Sequence, residues 1–185
     1  IAETLFGDYN PGGKLSTIFP KTIGQIELNF PFKPASHAGQ PGTGPNGYGN
    51  TAVDGVLYPF GYGLSYTTFE YKNLTVSPLK QGVNGNVAVS FEVSNTGDRA
   101  GDEVVQLYVR DKISSVISYD SQLRGFERIT LQPGETKRVD FVLQPEDLEL
   151  LDKNMNWIVE PGEFEVLVGS NSEDIRLKST FELDK

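Results

Sequence analysis

Three pairs of carboxylates stand close enough in this sequence to be weighed as hydrolytic machinery: Asp102-Glu103, Glu146-Asp147, and Glu160 with Glu163. Two such groups, one giving a proton and one attacking or activating water, suffice to cleave a glycosidic bond. Their settings argue otherwise. Asp102 and Glu103 follow a turn and open a strand, so they point to opposite faces. Glu146-Asp147 sits where a short helix starts, a position that the helix dipole alone favours for acids. Glu160 and Glu163 bracket a Pro-Gly turn. All six read as solvated surface, and no catalytic residue is expected among them. The single histidine, His37, lies in a Gly/Pro-rich stretch with no second histidine and no cysteine near it, so neither a metal site nor a catalytic triad forms around it. No cofactor is expected.

A stronger signal is the uncharged segment Leu57–Phe69, which carries Tyr58, Phe60, Tyr62, Tyr66 and Phe69 among Pro59, Gly61 and Gly63. Exposed rings gain nothing from water, and proline with two glycines breaks any regular element. Two readings follow. The five rings pack an interface between two bodies of protein, or they form a platform on which sugar rings stack. The irregular backbone favours the interface. Tyr9 and Tyr48 are candidates to join the block. Trp157, the only tryptophan, is expected in a core near Phe164 and Phe141.

The elements that must position these residues fall into two unlike parts. Ile1–Gly7 reads as the end of a helix stopped by a glycine, and a chain opening in mid-helix reads as a fragment. A dense turn signal spans 8–14, and short extended pieces are expected at 15–19 and 23–32. From 33 to 54 there is almost no large apolar residue, longer than the usual connection in a compact domain. From residue 70 the texture changes to β alternation: Val87, Val89, Phe91 and Val93 face one way, Ala88, Ser90, Glu92 and Ser94 the other. Val105, Leu107 and Val109 likewise alternate with Val104, Gln106 and Tyr108. Further strands are expected at 122–131, 136–143, 157–159, 163–169 and 175–183, with one helical turn at 145–151. Short strands with turns between them predict an antiparallel immunoglobulin-like β-sandwich.

Composition narrows the function classes. A net charge of −9 argues against nucleic acid, whose phosphates require a basic footprint. No apolar run reaches the length that spans a bilayer, so membrane insertion is not expected. The absence of cysteine excludes disulfides, thiolate metal sites and a cysteine nucleophile. Asn73-Leu74-Thr75 matches a glycosylation sequon, meaningful only in a eukaryotic secretory setting.

Several phrases, in order, resemble glycoside hydrolase family 3. Tyr9-Asn10-Pro11-Gly12-Gly13-Lys14-Leu15 with Phe19-Pro20 is similar to the end of that family's second catalytic domain, and Leu57–Phe69 to the passage out of it. Asn95-Thr96-Gly97, Ala100–Tyr108, Leu123-Arg124-Gly125-Phe126, Leu131–Glu135 and Trp157 with Glu160-Pro161-Gly162 resemble the family's fibronectin type III-like module. The resemblance implies a mainly β chain: residues 1–69 an incomplete, loop-rich tail of an α/β domain plus the aromatic exit segment, residues 70–185 the fibronectin type III-like sandwich. It also implies a parent β-glucosidase or β-xylosidase, retaining, periplasmic or extracellular, whose nucleophile and acid/base lie upstream of Ile1. No segment here resembles either catalytic motif. The expected partners are the remaining catalytic domains and, for the parent, a β-glucoside or oligosaccharide. A carbohydrate- or cell-wall-binding module is the rival expectation, and homo-oligomerisation through exposed strands or the long loop a third.

Overall fold

In the computed structural model, which describes residues 1–25, 29–33 and 55–185, a β-sandwich carries a long irregular N-terminal tail on one of its faces. The tail begins with α1 (Ala2–Phe6), closed by Gly7 at φ 86°, a left-handed angle that glycine adopts without penalty. The sandwich comprises β1 (Phe69–Ser77), β2 (Lys80–Gly82), β3 (Val87–Asn95), β4 (Gly101–Asp111), β5 (Gln122–Leu131), β6 (Thr136–Leu143), β7 (Leu150–Leu151), β8 (Trp157–Ile158), β9 (Gly162–Gly169) and β10 (Ile175–Asp184), with a 3-10 turn at Pro145–Asp147.

One sheet runs β1-β3-β6, fully antiparallel; the other runs β2-β10-β9-β4-β5, antiparallel except for the parallel β2-β10 pair. β7 and β8 form a separate small hairpin. The residues expected to face inward do so. Val87, Val89, Phe91 and Val93 of β3 meet Val105, Leu107 and Val109 of β4, with Phe164 stacked on Phe181 at 5.4 Å and Phe91 flanked by Tyr71 and Phe141. Burial of these branched and aromatic groups supplies the main stabilising term.

Four expectations are corrected. Residues 15–19 form no strand, only the isolated bridge from Phe19 to Tyr58, because their backbone partners are the irregular exit segment rather than a sheet. The described residues within 23–32 form no strand either; residues 26–28 of that stretch, and His37, Tyr48 and the rest of 34–54, lie outside the described residues. Trp157 is 66% exposed, since it sits on the β7-β8 hairpin outside both sheets, and Val159 takes the place against the core instead. Glu103 is 95% buried rather than solvated, its exposure being 5%.

Candidate functional site

The tail is bonded to the sandwich along the outer face of β4. Alternation places Asp102, Gln106 and Tyr108 on that face, and each meets a different part of the tail. Gly12 lies so close to Asp102 that a Cβ there would come within 2.6 Å of the Asp102 Cβ. Gln106, 2% exposed, donates from Nε2 to the Gly61 carbonyl at 3.2 Å and the Ser170 carbonyl at 2.6 Å, while its Oε1 accepts from the Tyr108 hydroxyl. The Phe30 ring stands edge-on to Tyr108 at 5.6 Å and stacks on Phe60 at 4.6 Å. Burial raises the Tyr108 phenol above its ordinary pKa.

The exit segment is locked by backbone pairs to the earlier tail: Leu15 N donates to the Tyr62 carbonyl, Gly61 N to the Leu15 carbonyl and Phe19 N to the Tyr58 carbonyl. Gly61 holds φ 81°, and a Cβ there would sit 2.1 Å from Gln106 Oε1. Farther along, Ser172 N donates to the Phe60 carbonyl and Asp120 N to the Phe32 carbonyl. Of the five sequence-predicted rings, Tyr58 stacks on Tyr62 at 4.7 Å, Phe60 on Phe30, and Phe69 is buried in the core. Tyr66 is half exposed, its hydroxyl donating to the Thr4 carbonyl.

Two buttresses complete this joint. Asn10 accepts from Tyr66 N at 2.8 Å and donates to the Ala100 carbonyl at 3.0 Å. Asn95, 1% exposed, accepts from Thr67 Oγ1 and Gly97 N while donating to the Arg99 and Leu131 carbonyls, so its side chain meets its full bonding capacity. Between them Lys14 reaches Glu103 at 2.9 Å, both side chains largely buried. The contact is Coulombic rather than a well-aimed hydrogen bond, since Glu103 Oε1 makes none. Tyr71 lies beside it with its hydroxyl buried. Burial first and the Glu103 charge second push that phenol up, while Arg176 covers the ring at 5.5 Å. Lys14 and Gln106 escape a reading of local spacing, because each finds its partner only through folding.

A second concavity opens at the far end of β4. A groove of about 500 Å³ lies between the β4–β5 loop and the β7-β8 hairpin, lined by Tyr119, Gln122, Arg124, Glu146, Glu149 and Trp157 among others. Lys33 covers the Tyr119 ring at 5.3 Å. Among the described residues no cluster of His, Cys, Asp and Glu could hold a metal ion.

Residues 1–66 match the glycosyl hydrolase family 3 C-terminal domain and residues 103–172 the fibronectin type III-like domain. The chain belongs to the C-terminal region of glycoside hydrolase family 3. It is 44% identical to a beta-xylosidase of Formosa agariphila, over 97% of this chain and 24% of that protein. It is 43% identical to a periplasmic beta-glucosidase of Salmonella typhimurium, over 99% of this chain and 24% of that protein. Among solved structures, the beta-glucosidase of Listeria innocua in complex with glucose superposes with a TM-score of 0.87 at 33% identity, covering all of this chain and 26% of that one. The chain thus spans about a quarter of the length of the family 3 relatives it matches.

Proposed function

We propose that this chain is the bracing C-terminal portion of a retaining glycosidase of the β-glucosidase type, acting outside the cytoplasm on a β-glucoside or related oligosaccharide. The carboxylates that perform the chemistry belong to the preceding domains. In a retaining mechanism those two groups stand about 5–5.5 Å apart. Here Asp102 is engaged with Arg128 and Thr130, Glu103 with Lys14, and Glu160 with Ser115. These carboxylates are occupied by structure. On this reading residues 1–69 are the end of the α/β domain with its exit segment, and 70–185 the sandwich. Tyr58, Phe60, Tyr62, Tyr66 and Phe69 then serve a domain joint rather than a sugar platform.

The observation that carries the reading is the joint along β4. A segment matching the family 3 C-terminal domain is fastened to the sandwich through Gln106 to Gly61, Asn10 to Ala100 and Lys14 to Glu103. A rigid fastening of that kind transmits the sandwich's stability to the domain from which the tail comes. The test is paired. The 185-residue chain assayed on an aryl β-glucoside is expected to give no turnover, whereas the whole enzyme turns over. In the whole enzyme, Gln106→Leu is expected to shorten the thermal half-life of activity while KM stays unchanged. Turnover by the chain alone that is lost on substituting its own carboxylates would overturn the division of labour.

A further inference from the structure

The groove beside Trp157 differs chemically from the joint. At the joint Gln106, Asn10 and Asn95 spend their side-chain hydrogen bonds on the protein; in the groove the Gln122, Arg124, Glu146 and Glu149 side chains make none among the described residues. The Arg124 guanidinium is partly buried and forms no hydrogen bond or ion pair among the described residues; desolvation holds its pKa below the ordinary arginine value, with the Asp147 charge acting weakly the other way. Gln122, Glu146 and Glu149 line the same space, and their side chains likewise have no hydrogen-bond or ion-pair partner among the described residues. The exposed face of Trp157 borders it, with the Tyr119 ring also in the lining. The void, about 500 Å³, falls within the roughly 300–1,000 Å³ typical of small-ligand sites.

We infer that this groove between the β4–β5 loop and the β7-β8 hairpin binds a neutral oligosaccharide, one sugar ring lying on Trp157 and its hydroxyls spanning Arg124 and the Glu146/Glu149 carboxylates. Three features select that chemistry. The charged side chains in the lining are of both signs and do not pair with one another, so an ionic ligand would satisfy one sign and oppose the other. A hydroxyl both donates and accepts: it answers a guanidinium and a carboxylate alike. An indole offers a flat apolar face for the C–H side of a sugar ring, together with an N–H donor at its edge. A protein surface that covered the groove would take the half-buried Arg124 and Glu149 and the exposed Glu146 out of water together, and would have to supply a carboxylate for the first and cations for the other two, since leaving a buried charge unpaired is costly. The site shares no residue with the five rings assigned to the joint, and it stands whether or not the parent is a β-glucosidase.

Because Trp157 is the sole tryptophan, fluorescence excited where tyrosine does not absorb reports on this groove alone. The 185-residue chain is to be titrated with cellotriose, xylotriose and laminaritriose, and by calorimetry in parallel. The expected result is a saturable change with a Kd of about 1 mM or tighter for at least one of the three. Arg124→Met is expected to weaken it at least about tenfold. Trp157→Phe, read by calorimetry, is expected to weaken it less. Phe126→Ser, an exposed ring outside the groove lining, is to leave it unchanged. Absence of saturation with all three sugars overturns the proposal, as does binding that survives Arg124→Met in a chain whose β signature by circular dichroism is intact. Capture of separately expressed catalytic domains by the chain, lost with Arg124→Met while no sugar binds, overturns it in favour of a docking surface. None of these outcomes depends on the activity assay above.

Discussion

Strands β3 and β4 contribute one face each to the same core and differ on the other. Outward residues Ala88, Ser90, Glu92 and Ser94 on β3 are half-buried or exposed beside solvent, as an antiparallel sheet with one wet side requires. Outward residues Gln106 and Tyr108 on β4 are as buried as the core itself. A strand covered on both faces is a strand on which something has been laid, and here that is the family 3 segment. The polar groups of Gln106 and Tyr108 trapped beneath it are therefore each hydrogen-bonded. On β3 the corresponding groups need only water. Substitutions on the two shared faces and the two unshared ones should accordingly separate into different kinds of failure.

The largest effect belongs to the shared core. Phe91→Ala is expected to cost about 3–5 kcal/mol by transfer and cavity terms together, read as a lower denaturant midpoint by every probe at once. If the tail were an independent body, a probe placed in it would not follow that midpoint. Next comes Gly61→Ala. It forces a side chain onto φ 81° and drives its Cβ against Gln106 Oε1, which three hydrogen bonds hold in place. Strain and displaced bonds together should amount to about 2–4 kcal/mol. The signature should be local: faster hydrogen exchange and proteolysis at 8–20 and 57–66, with β3 protection unchanged. Gln106→Leu is expected to cost about 1–3 kcal/mol, by orphaning the Gly61 and Ser170 carbonyls. Its exchange pattern should be the same. Equal loss of protection in β3 would erase the distinction between the two faces.

The sandwich was largely legible because period-two alternation is a local signal. Val87 to Val93 announce their own facing, and the turns at 132–135 and 160–163 bound the strands that follow them. The joint was legible only as a cluster of rings without partners. In β4 the run Val104-Val105-Gln106-Leu107-Tyr108-Val109 holds a clue, since near-continuous apolarity marks a strand covered on both sides, but glutamine and tyrosine mask it as ordinary alternation. Glu103 could not be told from a solvated acid, because Lys14 reaches it from a distant part of the chain. Trp157 stands outside the core for a related reason. Ring size argues for a core, yet β8 is two residues long and pairs only with β7, so no sheet carries the ring inward. Local pattern fixes which face a side chain takes; it does not say what covers that face.

The smallest expected effect tests whether the polar groups under the tail are answered in acid as well as at neutrality. Asp102, at the tail end of β4, has its carboxyl pKa lowered, chiefly by the Thr130 hydroxyl and then by Arg128; Asp174 is lowered chiefly by Arg176. A carboxyl whose folded pKa lies below its unfolded value, about 3.9 for aspartate, adds stability that is present above the unfolded value. That stability is lost as the pH falls through the folded one. Denaturant midpoints should therefore hold steady from neutrality to about pH 4.5 and decline below it. Asp102→Asn should make the wild-type and variant curves converge at low pH, because the variant forgoes a contribution that acid removes from the wild type. A gap that widens in acid would mean that the Asp102 cluster does not favour the ionised form.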